Sequence, residues 1–139
     1  IKSPMKPPEI DVGIDECAKY VRLALEQKYG IKIEPGHAWD MRYSLKIIWP
    51  ADGINYKEIL KEGDVLGIYN PSSRHRTEAC GEFDMKGNPR AYTHVGVYNG
   101  NGHVYHKLKD RIMSSSFREI EELGFSVKEV LRPISQSGD

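Results

Sequence analysis

The sequence contains no apolar run approaching the roughly 20 residues that a membrane-spanning helix needs. It also has no excess of either charge: twenty Lys and Arg stand against twenty Asp and Glu. No global field therefore draws it toward nucleic acid or an anionic membrane. Lys107, Lys109 and Arg111 form only a modest basic patch. Cysteine is scarce. Cys17 and Cys80 are too few for a disulfide framework, although a single bridge between them would leave no thiolate at Cys17. No CxxC pair or carboxylate-rich pattern suggests zinc. No secretory signal is visible, and the chain starts at Ile1 rather than methionine, as expected of a processed product or an excised domain. Repeats and low-complexity segments are missing too.

What is present is ordinary for a globular chain: 39% apolar and 29% charged residues, enough of each for a core and a solvated surface. A chain of 139 residues is expected to be one domain, burying roughly 68–70% of the surface its unfolded form exposes. Residues 1–13, with Pro4, Pro7 and Pro8, read as an extended arm or linker. Residues 14–135 read as the domain, and 136–139 as a tail.

Ile14, Ala18, Val21 and Leu25 fall on one helical stripe. Asp15 is the expected N-cap of that helix and Gly30 its stop. A turn at Pro35–Gly36 precedes a second, shorter helix expected over 37–46. A third is expected over 56–60. Val65, Leu66, Ile68 and Tyr69 read as a buried strand closed by Asn70–Pro71. Residues 71–91 are polar and form a long loop, read either as a lid or binding loop or as a surface insertion without a role. Residues 93–98 and 103–108 flank Asn99-Gly100-Asn101-Gly102, a hairpin signal, because Asn and Gly accept positive φ. A helix near 116–122 and a strand near 125–132 complete the chain. Helices first and hairpin-linked strands after predict an α+β fold, with N-terminal helices packed on a mostly antiparallel sheet.

Cys17 falls in the first turn of the first helix. Unpaired backbone N–H groups and the positive end of the helix dipole there favour a thiolate, as a cysteine nucleophile requires. Asp15 and Glu16 would oppose this if they pointed inward. A small buried structural cysteine is the competing reading. His94 opens an apolar strand whose hairpin partner carries His103 and His106. A base whose second nitrogen is held by another group is the logic of a catalytic triad. With three loop residues, position 98 pairs with 102 and His94 stands opposite His106. With two, the histidines face opposite sides of the sheet. The odd-length loop is the expected register, with Gly102 placed for a bulge. Zinc bound by the histidines and Cys17 is the alternative use, but His103 and His106 lie three apart on one strand and so point to opposite faces.

Asp15-Glu16-Cys17-Ala18-Lys19-Tyr20-Val21 resembles the cysteine motif of the NlpC-type and CHAP-type cysteine peptidases and amidases, the papain-like cell-wall hydrolases. Gly36-His37-Ala38-Trp39-Asp40 is similar to the segment that follows the nucleophile helix in CHAP domains. Gly63-Asp64-Val65-Leu66 resembles the motif opening their first core strand, and residues 94–106 resemble their histidine hairpin. The resemblance spans about two-thirds of the chain, from Asp15 to Lys107, with the motifs in the family's order. It implies a papain-like fold and amide hydrolysis through an acyl-enzyme, with no cofactor. Cys17 would be the nucleophile, His94 the base and later the acid, and His106 the residue that orients His94. The Cys17 backbone N–H would lie near the oxyanion. The implied partner is a peptide or peptidoglycan stem peptide, in a secreted or cell-envelope setting. Ala18 and Lys19 replace the serine and glycine common in the family, and the insertion around Cys80 lengthens a short family connection. Tyr20, Trp39, Asp40 and Tyr92 are the candidate substrate-binding residues, although aromatics beside an apolar stripe also serve as core. An acyltransferase or lipid-amide hydrolase on the same scaffold, or a catalytically silent peptide-binding module, are the alternatives.

Overall fold

Residues 6–13, 16–72 and 83–134 are described by a computed structural model. The expected first helix is α1 (Cys17–Tyr29), which buries Tyr20, Val21, Ala24 and Leu25 along one stripe. Burying a Val or Leu side chain contributes about 1.5–3 kcal/mol. The helix stops where Gly30 takes a φ of +68°. There Gly30 N–H donates to the Glu26 carbonyl, and Ile31 N–H to that of Leu25. Ile14 and Asp15 lie outside the described residues, and the position preceding the helix is Glu16, which makes no side-chain cap.

Six strands build one sheet: β1 (Lys46–Trp49), β2 (Val65–Tyr69), β3 (His94–Tyr98), β4 (His103–Leu108), β5 (Arg111–Ser116) and β6 (Ser126–Arg132). Their spatial order is β1-β6-β2-β3-β4-β5, and every neighbouring pair is antiparallel. The α+β expectation therefore holds. The sheet has a core on each face, because successive side chains in a strand point to opposite sides. On one face α1 covers Val65, Val95, Val97 and Leu131, together with Cys17, Tyr20 and Tyr92. On the other lie Leu66, Ile68, Val104, Ile120 and Phe125, flanked by Tyr56 and Phe117. Those last residues belong to α2 (Tyr56–Ile59), capped by Asn55, and α3 (Phe117–Glu122), whose Ser116 and Glu119 form a capping box. No helix among the described residues is long and apolar enough to cross a membrane.

Three expectations change. The helix expected over 37–46 is a 3-10 turn, Ala38–Tyr43, followed by β1. Ile47, Ile48 and Trp49 favour a pleated strand, and β6 offers them a partner edge. β5 was not expected, because its Arg-Ile-Met-Ser-Ser-Ser sequence lacks an apolar alternation. The β3–β4 register is also displaced: Val97 pairs with Tyr105 and Tyr98 with Val104, not with 102. Asn99 widens the turn, its side-chain oxygen accepting from Asn101 N–H (2.7 Å) and His103 N–H (3.1 Å).

Of the 71–91 loop, residues 73–82 and with them Cys80 lie outside the described residues. Its far end is a turn docked on the 3-10 segment. Asp84 accepts from Lys86 N–H and Asn88 N–H, both at 2.9 Å, and from the Tyr43 hydroxyl at 2.7 Å.

Candidate active site

His94 begins β3, opposite Ile68 of β2. Its ring centroid lies 5.7 Å from that of Phe125, on the face covered by α3. His106 lies on the same face, as expected, but diagonally placed, because position 106 lies across from Gly96 in the observed register. The missing side chain at Gly96 makes the approach possible: a Cβ there would stand 3.2 Å from His106 Cβ and 2.4 Å from Val104 Cγ1. His94 Nε2 and His106 Nδ1 are 2.8 Å apart, and His106 Nε2 lies 2.8 Å from Ser115 Oγ. The result is a buried chain of three side chains running from β3 through β4 to β5.

Burial governs the ionisation of this chain. His106 is pushed down to about 4 by desolvation, with the Glu119 carboxylate pulling the other way. His94 is held well below the ordinary histidine value by burial, and by the neighbouring His106. Both rings are neutral at neutral pH, so each carries one N–H and one lone pair. If His94 donates through Nε2 and His106 through Nε2 to Ser115, His94 Nδ1 carries the lone pair. That nitrogen is then a base.

Cys17 is the first residue of α1 and is buried in the opposite core. Its Sγ lies 3.9 Å from the Thr93 carbonyl oxygen, one peptide before His94. The fold thus brings the thiol to the chain segment that carries His94, while the thiol and the imidazole belong to different faces of the sheet. Glu16 does not turn toward the thiol; its carboxylate accepts from Gly13 N–H. A bridge to Cys80 falls on a residue outside those described. His103 points away from the other histidines, with Nδ1 3.4 Å from the Asn101 carbonyl.

The candidate substrate-binding residues divide. Tyr20 and Tyr92 are wholly buried, which corrects the groove-wall expectation for both. Tyr20 donates its hydroxyl to the Pro8 carbonyl (2.9 Å), and Tyr92 donates to Glu129 (3.0 Å). Aromatic area is worth most inside a core, once the hydroxyl finds an acceptor there. Trp39 is also largely buried, but its ring is stacked by His37 at 4.6 Å and lies 3.7 Å from the Arg90 guanidinium. Asp40 is half-buried and accepts from Met85 N–H at 2.8 Å. These two therefore anchor the end of the long loop to the 3-10 turn. Ser115 is the site member that sequence reasoning missed. Serine in a serine run signals a turn or cap, and nothing in the sequence paired it with His106.

In comparisons with known proteins, the chain matches no family model and no curated sequence.

Proposed function

We propose that this protein is a papain-like cysteine hydrolase that cleaves an amide bond of a peptide through an acyl-enzyme on Cys17. The observation that carries the reading is the 2.8 Å contact between His94 Nε2 and His106 Nδ1, because it occupies one nitrogen of His94 and leaves the other as base. In the proposed reaction Cys17 Sγ attacks the carbonyl carbon and its proton passes to His94 Nδ1. The imidazolium returns that proton to the leaving amine. Water, deprotonated by the same nitrogen, then releases the acid. The backbone N–H groups at the start of α1 point toward the N-terminal end of the helix, where its dipole is positive, and would be the donors for the oxyanion. The thiol must reach His94 around the start of β3, where Thr93 already touches it. The order of motifs and their resemblance to cell-wall hydrolases suggest a peptidoglycan stem peptide as substrate.

The second reading is a catalytically silent peptide-binding module. It is favoured by the burial of both Cys17 and His94 on different faces of the sheet. Iodoacetamide alkylation across pH, with site assignment by mass spectrometry, separates the two. The proposal expects Cys17 to react well below pH 8.5, the ordinary thiol midpoint, and to lose that reactivity in His94→Ala. It also expects Cys17→Ala to abolish hydrolysis of a peptidoglycan-derived peptide while circular dichroism is unchanged. An ordinary thiol profile, protection that only a reductant lifts, or full activity in Cys17→Ala would overturn it. Partition of the acyl group to added amines rather than water would instead identify an acyltransferase.

A further inference from the structure

Four charged side chains are buried among the described residues: Asp64, Asp84, Lys107 and Glu129. Three of them are well answered. Asp64 takes two N–H groups of the Arg132 guanidinium, each at 2.8 Å. Glu129 meets the Arg42 guanidinium and the Tyr92 hydroxyl. Asp84 accepts from two backbone N–H groups and the Tyr43 hydroxyl. Lys107 differs. Its Nζ has the Val12 carbonyl at 3.3 Å and, among the described residues, no carboxylate at ion-pair distance. Desolvating an ammonium costs more than one neutral hydrogen bond restores.

Lys107 also lines a cavity of about 600 Å³ between the arm and the turn joining β4 to β5. Exposed Lys6, Glu9, Asp11 and Asp110 share that lining, and half-buried Ile112 adds an apolar surface. The cavity therefore combines a buried cation with carboxylates open to solvent. A phosphate would satisfy Lys107 but would face three carboxylates against two lysines. A ligand carrying both signs has a partner for each.

We propose that this cavity binds a small zwitterion, a free amino acid or a short peptide with both termini free. Its carboxylate pairs with the Lys107 ammonium, and its own ammonium lies among Glu9, Asp11 and Asp110. The site is separate from Cys17 and does not depend on the hydrolase reading.

The test is an NMR titration of the isotopically labelled full chain with the dipeptide Ala-Ala. Its C-terminal amide, its N-acetyl form and inorganic phosphate serve as comparison arms. Ala-Ala should shift the Lys107 Nζ and Ile112 signals saturably. The amide and the N-acetyl form should each bind at least about tenfold more weakly, a difference readable in the fitted constants. Lys107→Met should remove the response and Lys107→Arg should retain it. Equal binding of the amide, tighter binding of phosphate, or no saturation would overturn the proposal and leave Lys107 as a pin for the arm. If Lys107→Met fails to fold, the wild-type comparison of Ala-Ala with its amide decides alone.

Discussion

Each face of the sheet makes room for one ring by means of one glycine. On the α1 face the Tyr92 ring lies over Gly67, where a Cβ would stand 2.6 Å from the nearest ring carbons. On the α3 face Gly96 makes the room for Val104 and His106. The rings end differently. Tyr92 reaches Glu129, whose charge is answered by Arg42. His106 reaches His94 and Ser115, and no carboxylate among the described residues joins that chain of hydrogen bonds. One face buries a charge beside its counter-charge; the other buries titratable groups by keeping them neutral. The first arrangement anchors the fold. The second leaves lone pairs available for proton transfer, as a base requires.

The largest expected effects come from filling the two glycine sites. Gly67→Ala drives a methyl group into a rigid ring tied down at its hydroxyl, and should cost about 3 kcal/mol or more. Gly96→Ala meets Val104 Cγ1 first, the end of a side chain that can turn away, and then the Tyr105 carbonyl at 3.1 Å. It should cost less, about 1–2 kcal/mol, yet displace His106 and slow any reaction that uses His94. Urea unfolding midpoints order the two stabilities, and alkylation of Cys17 reads the second effect. The comparison between faces breaks if Gly96→Ala is the more destabilising or leaves Cys17 reactivity untouched.

Titration sharpens the same contrast with opposite signs. Burial lowers both histidines from 6.5, His106 to about 4. Between those values the unfolded chain binds protons that the native chain refuses. Stability is thus fully present above pH 6.5 and is lost as pH falls toward about 4. The slope is up to roughly 1.4 kcal/mol per pH unit for each histidine. Glu129 runs the other way. Burial raises its pKa above the ordinary glutamate value, with Tyr92 and Arg42 opposing, so its contribution diminishes as pH rises from the ordinary glutamate value toward the raised one. Unfolding free energies across pH should lose about half of their acid slope in His106→Gln, the share of buried His94 remaining, and keep it in Glu129→Gln. An unchanged slope in His106→Gln would show that the histidine chain is not what acid attacks.

Much of this contrast was legible in the sequence, but unevenly. The stripe through Val21 and Leu25 located α1, the run from Val65 located β2, and the Asn-Gly repeat located the hairpin. That His94 and His106 share a face followed from the odd-length loop. Their diagonal placement did not, since it depends on Asn99 folding its side chain onto two backbone N–H groups. The edge strands β1 and β5 were hidden for a physical reason: neither has a well-covered face, with no buried residue in β1 and only Ser115 buried in β5, so burial imposes no apolar alternation on them. Tyr20 and Tyr92 misled because a tyrosine's composition is the same in a groove wall and in a core; only the positions of Pro8 and Glu129 decide. Cys17 at a helix start was legible, but not that its thiol would lie against the carbonyl of Thr93, on the face of the sheet opposite the His94 imidazole.

The smallest expected effect bears most directly on chemistry. Two proton orders satisfy the chain from His94 to Ser115, and only one leaves the lone pair on His94 Nδ1. Ser115 can accept from His106 Nε2–H, as that order demands, or donate to it and reverse every bond. Ser115→Ala removes the terminal partner and leaves a buried His106 nitrogen unanswered, while the His94–His106 contact stays geometrically possible. Nitrogen-15 shifts of the labelled histidines should show Nε2–H on both rings in the wild-type protein and a mixture of tautomers in Ser115→Ala. Because Ser115 acts only through His106, Cys17 alkylation should slow by roughly tenfold, a minor part of what positioned acid–base groups contribute. Ser115→Thr, which keeps the hydroxyl, should restore both readouts. If the wild-type rings instead carry Nδ1–H, His94 is a donor toward the thiol rather than a base. The α3 face would then be as structural as the α1 face.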